Sequence, residues 1–306
     1  MVVFYHLGKT NLGGFENGVY QLTFDRVFTN ISAACVPLFF MVNGALLLNK
    51  QYTVERIYAK AAKIALLLFV WNFTEFPSWF FKTLIVIYLL YPLLKKIYDN
   101  KKFRYLLMFA VLVMPFVYNM IMTFMLCFNI DFHLNILGHE ISRSTFPQKT
   151  GVFTMYSLLY FFLGAEFKDK KVNLFVSFVC AGFGLAILTT EAVFCANASG
   201  ELQDSVNGYF PTVGALILTF GLFNFFKVFD KKSFIPKNVI AFLGKHILAV
   251  YLFHMMFIKL IRKFVLAGEQ YSSIVTLIVS VLIFAVCVCL SLIIEKIPLA
   301  NKLVKI

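Results

Sequence analysis

Charge is scarce in this chain. Asp, Glu, Lys and Arg make up 14% of its 306 residues, and only 15 residues are acidic. Soluble domains carry about 25% charged residues, so a shortage of this size excludes an ordinary water-facing surface. Metal-type cysteine spacing is missing as well. The six cysteines stand at 35, 127, 180, 195, 287 and 289, and no pair forms C-x-x-C, which argues against zinc ribbons and thiol redox motifs. Four of them lie within apolar runs, where a thiol behaves as a small core residue. Cys127 and Cys195 fall near one face, either to form a bridge or simply to pack. H-E-x-x-H, a phosphate-cradling glycine loop and the signatures of a catalytic triad are also absent. Nothing in the sequence points to a metal, and no secretory-signal pattern stands at its start.

What the chain does have is hydrophobicity in a regular rhythm. It is 60% hydrophobic and 18% aromatic. Long apolar runs, such as Ile31 to Leu48 and Tyr271 to Ile294, alternate with short basic knots. A helix needs about 20 apolar residues to cross a hydrocarbon layer of about 30 Å. In lipid each backbone polar group must be satisfied within its own segment, which leaves helices as the spanning element here. The runs predict spans near 31–48, 60–76, 79–97, 104–125, 152–167, 172–190, 209–229, 239–258 and 271–294. The five apolar residues before His6 are too few to span and read as the remnant of a further helix. The expected fold is all-α, a polytopic transmembrane helix bundle of about nine full helices plus this N-terminal remnant, in a single domain over 1–306.

The net charge of +13 invites a nucleic-acid partner, but the distribution argues against one. One set of connections holds Lys50, Arg56, Lys60, Lys63, Lys95, Lys96, Lys101, Lys102, Arg104, Lys168, Lys170 and Lys171. It continues with Lys227, Lys231, Lys232, Lys237, Lys296, Lys302 and Lys305. The opposite set holds Lys9, Arg26, Lys82, Arg143, Lys149, Lys259, Arg262 and Lys263, and Lys245 lies within a span. Cytoplasmic loops carry the excess of Lys and Arg. The first set is therefore expected inside with the C-terminus, and His6 at the external end of its stub. Lys259, Arg262 and Lys263 run against this bias. The external connections 7–30, 126–151 and 191–208 are long, and connections of that length tend to cover or build a site. No internal repeat of the kind found in inverted-repeat transporters is visible.

Two histidines stand at matching depths, His6 at the end of the stub and His254 late in the span 239–258. A histidine there is suited to act as a general base, since its ordinary pKa near 6.5 lets it accept a proton at neutral pH. An interfacial histidine satisfied by water or headgroups is the competing explanation. Lys245-His246 begins the same span, where a lysine costs about 2.5–3.5 kcal/mol at a helix centre. It is either a snorkelling lysine or a phosphate contact, and Arg56 and Lys63 invite the same two readings. Glu75 and Lys82 flank the turn Phe76-Pro77-Ser78 as a possible pair. Asp131, His133, His139, Glu140 and Arg143 cluster outside, suited to a sugar or merely to solvent.

Several segments together resemble the acyltransferase 3 family of membrane O-acyltransferases. Val2-Val3-Phe4-Tyr5-His6 is similar to the end of that family's first helix, where its proposed catalytic histidine sits. Val36-Pro37-Leu38-Phe39-Phe40-Met41-Val42-Asn43-Gly44 is similar to the V-P-L-F-F-M-I-[SN]-G run. Arg56 through Trp71 resembles the basic stretch that turns into a Leu-rich helix. Trp79-Phe80-Phe81 with Tyr88-Leu89-Leu90-Tyr91-Pro92-Leu93-Leu94, and Leu243-Gly244-Lys245 with Tyr251-Leu252-Phe253-His254, resemble W-F-L…Y-L-x-x-P-L-L and L-G-K/x…Y-L-I-H. The resemblance runs from residue 1 to about 260, with most of the first helix lacking.

The resemblance implies an O-acetyltransferase that takes acetyl from cytoplasmic acetyl-CoA to hydroxyls of a cell-surface polysaccharide or lipid-linked glycan. Acetyl-CoA would be the donor rather than a tightly bound cofactor. Membrane lipids would be the other partner, in a multi-pass bacterial cell-membrane protein. His6 is expected to be catalytic, as a base or as an acetyl-carrying nucleophile. Arg56, Lys63 and Lys245 are expected at the coenzyme A phosphates, with Tyr251 and His254 shaping the cavity. The rival class is a transporter or flippase of glycan precursors, which needs polar residues through the midplane. Here polarity gathers at the two faces. A degenerate, truncated relative is the third reading.

Overall fold

The computed structural model describes residues 1–7, 12–71, 78–130, 133–136, 139–142, 155–202, 210–230, 236–264 and 271–297. In chain order it forms α1 (Val2–Leu7), β1 (Gly14–Glu16), β2 (Val19–Gln21), α2 (Phe24–Asn30), a 3-10 turn (Ile31–Ala34) and α3 (Cys35–Leu47). Then come α4 (Val54–Val70), α5 (Trp79–Leu89), α6 (Tyr91–Asp99), α7 (Lys101–Leu112), a π-helical segment (Val113–Val117), α8 (Tyr118–Cys127), β3 (His133–Ile136) and β4 (His139–Ser142). The remainder is α9 (Tyr156–Phe167), α10 (Leu174–Ser199), α11 (Val213–Asp230), α12 (Lys237–Phe264) and α13 (Ser273–Glu295). This is a helical bundle, and 5 of its described helical stretches are long and apolar enough to cross a membrane.

Those stretches are Phe24–Leu47, Lys101–Cys127, Leu174–Ser199, Lys237–Phe264 and Ser273–Glu295. Their outward faces are apolar too, with Phe175, Phe183 and Ile274 among the exposed large side chains. Helices hydrophobic all round belong in lipid. Polar side chains mark the helix ends. Asn100, Asn173 and Ser272 accept from backbone N–H groups in the first turns of α7, α10 and α13, which satisfies donors that a helix start leaves orphaned. Gly200, at φ 71°, ends α10 in the left-handed conformation that glycine adopts at no steric cost.

Proline sets two departures from the expected spans. The run 79–97 is two helices, α5 and α6, because Pro92 has no N–H to continue the ladder. It fits instead in the first turn of α6, where such a donor is not needed. The run 104–125 extends over Lys101–Cys127, with Pro115 inside the π-helical segment that joins α7 to α8. The long connections hold elements of their own among the described residues. The first holds the β1–β2 hairpin and α2, the second holds the antiparallel pair β3–β4, and the third begins within α10.

The contacts divide the chain into two compact units. Unit one comprises Met1–Asn11, Tyr52–Leu94 and Val228–Ile306, and unit two comprises Leu12–Gln51 and Lys95–Lys227. In unit two, α3 lies along α9. Their approach is close because two glycines face each other's backbone. A Cβ on Gly44 would overlap the Phe161 carbonyl, and one on Gly164 would overlap that of Met41. Small residues at helix crossings are how backbones come together in membranes. Arg26, counted above among external cations, is buried on α2 in this unit. Gly44→Ala should therefore lower the melting temperature of the purified protein in detergent, by about 1–3 kcal/mol of overpacking. Gly182, where an added methyl would meet nothing within 4 Å, gives the control, since Gly182→Ala should cost nothing. Equal melting of Gly44→Ala and parent protein would overturn this account of the crossing.

Unit one holds α1, α4, α5, α12 and α13. In it α12 packs on α13, α4 on α5, and the short α1 on both α12 and α13. On α4 the buried residues Ile57, Ala61, Ile64 and Leu67 recur at helical spacing, while Phe69 on the opposite side is 84% exposed. One face of α4 thus meets protein and the other is apolar surface. Every residue expected from sequence at the site belongs to this unit.

Candidate active site

α12 presents Tyr251, His254, Ile258 and Arg262 at steps of three and four residues, which places them on one stripe. Tyr251, His254 and Ile258 are buried. The Nδ1 atom of His254 lies 3.0 Å from the Val250 carbonyl oxygen and 2.8 Å from that of Tyr251. A carbonyl oxygen only accepts, so Nδ1 carries the proton and donates it. In the neutral ring the other nitrogen, Nε2, is then the unprotonated one. It is buried and has no hydrogen-bond partner among the described residues. A buried acceptor left in this state is unusual and marks a place where a polar ligand or water fits.

His6 lies opposite. Its ring centroid is 5.4 Å from that of His254, with the planes tilted by 43°. It reaches this position on a helix of six residues that buries Val3, Phe4 and Leu7. A helix that short is not stable alone in water, so docking against α12 and α13 supplies its order. A wall of aromatic rings runs out from His254. Tyr251 meets His254 at 5.7 Å, Phe80 at 5.6 Å and Phe81 at 4.9 Å, and the Trp71 ring meets Phe253 edge-on at 4.9 Å. Tyr251 thus carries the contact from His254 to Phe80 and Phe81, and all three rings are buried.

The basic residues lie elsewhere in the unit. From the Trp71–Phe253 contact, Lys63 and Lys245 each stand eight residues earlier on their helices, about 12 Å of helical rise. Lys245 is not free. Its Nζ is 2.9 Å from Glu295 Oε2 on α13. The adjacent His246 is fully buried, with Nδ1 at 2.9 Å from Ser291 Oγ. Arg56 is exposed and lies over the Tyr52 ring at 5.3 Å, while Lys63 is half-buried. Among the described residues no group of three His, Cys, Asp or Glu is placed to hold a metal ion.

The acyltransferase 3 family model, described as an acyltransferase domain, matches residues 74–296. The chain belongs to the acyltransferase 3 family. The match covers most of the chain and includes Lys245, Tyr251 and His254, while His6, Arg56 and Lys63 precede it. No curated protein and no solved structure matches the chain. Membership of this family, together with the apolar helices, makes the protein a multi-pass membrane acyltransferase.

The structure thus brings His6, Tyr251 and His254 together and leaves Arg56, Lys63 and Lys245 at a distance from them. Three residues of this neighbourhood were not assigned roles from sequence. Trp71 packs edge-on against Phe253, Glu295 holds Lys245, and Arg262 reaches α1. Only Arg262 left a signal, as a cation against the loop-charge bias. The Val36–Gly44 run of the family resemblance belongs to unit two, where Gly44 serves the helix crossing. Glu75, Asp131 and Arg143 lie outside the described residues, and His133, His139 and Glu140 are described only as strand backbone.

Proposed function

We propose that this protein is an O-acetyltransferase that carries acetyl from cytoplasmic acetyl-CoA to a hydroxyl of an extracytoplasmic polysaccharide or lipid-linked glycan. The observation that carries the reading is the pairing of His6 with His254 beside an aromatic wall, in a chain of this family. A hydroxyl brought to His6 gives up its proton to the imidazole as its oxygen attacks the acetyl carbonyl. The carbon–sulfur bond breaks, and the imidazolium returns the proton to the coenzyme A thiolate. If His6 instead takes the acetyl first, the thiol leaves and the hydroxyl then attacks the acyl-imidazole. In both routes one ester forms and one thioester is lost.

The bias of basic residues supports a cytoplasmic side at the Arg56 and Lys63 end of α4 and at the C-terminus. There Arg56, Lys63 and Lys245 would meet the phosphates of the donor. Lys245 would exchange Glu295 for phosphate. Its side chain is 49% exposed, so a phosphate has access to the ammonium, whereas Glu295 on the other side of the pair is 15% exposed.

The test is transfer across a bilayer. The purified protein is reconstituted in vesicles with radiolabelled acetyl-CoA sealed inside and de-O-acetylated surface polysaccharide from its own cells outside. Label should appear on the polysaccharide as an alkali-labile ester, and Lys63→Ala should raise the KM for acetyl-CoA. No labelled ester in any arrangement would overturn the function. Transfer only when donor and acceptor share one side would overturn its transmembrane character.

A further inference from the structure

Three cations close α12, and the charge bias of the loops gives no reason for them. Lys263 lies over the Phe264 ring at 5.4 Å, whereas Arg262 turns to α1. Its Nε donates to the Leu7 carbonyl oxygen at 2.8 Å, and its Nη2 donates to the His6 carbonyl at 2.6 Å and to that of Leu7 at 2.5 Å. The last carbonyls of a helix have no partner within it. A cation there meets both these acceptors and the negative end of the helix dipole. Only a guanidinium presents several donors in a rigid fork, which is what two adjacent carbonyls require.

We propose that Arg262 is a positioning residue for His6, clamping the end of α1 to α12 so that the two histidine rings stay opposed. The clamp and His254 sit on the same stripe of α12, two turns apart. Fixing the backbone of residues 6 and 7 against that helix therefore fixes the His6 ring relative to the His254 ring. The proposal rests on the reading of His6 as the reacting group.

The test separates the clamp from that reading. In Arg262→Ala, kcat for acetyl transfer should fall by about a hundredfold, the loss expected of a reacting group misplaced by about an ångström. The KM for acetyl-CoA should stay unchanged. Arg262→Lys, which restores the charge and some of the donors, should recover part of the loss. Independently of activity, diethyl pyrocarbonate should modify His6 severalfold faster in Arg262→Ala, read by mass spectrometry of the folded protein. The fully buried His246 serves as the internal control and should stay protected, since global unfolding would expose both. Unchanged labelling of His6 would overturn the clamp, as would equal loss of protection at His246. Faster labelling of His6 with undiminished transfer would support the clamp and overturn the catalytic reading of His6.

Discussion

His6→Ala should abolish acetylation of the surface polysaccharide while the protein remains in the membrane at its normal level. General-base catalysis by a positioned histidine accounts for about 10²–10⁴-fold in rate, and loss of an acyl-carrying nucleophile costs more. The fold should survive, because His6 is half-buried and the order of α1 comes from Val3, Phe4 and Leu7. The backbone carbonyls that Arg262 holds are also unaffected by the change of side chain. The measurement is the ester-linked acetyl content of polysaccharide from cells producing each variant, normalised to protein level. Near-parental acetyl content in His6→Ala cells would remove His6 from the chemistry.

Much of the bundle was legible from the chain because membranes impose few choices. Apolar runs between basic knots can only be helices in lipid, so the order of spans followed from hydropathy. Even the ends were partly written in residue types, as Asn100, Asn173, Ser272 and Gly200 illustrate. What the runs concealed was local interruption. Pro92 splits one run because it lies where a continuous helix needs a donor, and Pro115 loosens another into a π-helical segment. Periodicity counts apolar residues and does not weigh a missing N–H.

The site was legible to a lesser degree, and for a different reason. Depth along a span can be counted, and counting placed His6 and His254 at one level. Which helices neighbour one another cannot be counted. The pairing of Lys245 with Glu295, fifty residues on, and the reach of Arg262 to α1, more than 250 residues back, depend on packing between distant segments. Arg262 was visible only as an exception to a statistical rule, and its donors prove to lie on the last carbonyls of α1.

His254 gives the second large effect, and its tautomer allows a finer test than removal. Nδ1 is committed to the carbonyls of Val250 and Tyr251, so any contribution to the reaction passes through Nε2. Asparagine carries an amide at about the depth of Nδ1 and leaves the place of Nε2 empty, whereas the amide of glutamine reaches that place. If Nε2 serves as a hydrogen-bond acceptor that orients His6 or the substrate hydroxyl, His254→Asn should lose about a hundredfold in kcat, the scale of a misplaced reacting group. His254→Gln, offering an amide oxygen in the same place, should recover part of that loss. An amide is no base at neutral pH, so recovery by glutamine would assign proton removal to His6. Equal inactivity of both variants, together with activity in His6→Ala, would reverse the roles and make His254 the base. Full activity of His254→Asn would show that Nε2 takes no part, leaving the buried imidazole as packing against Tyr251.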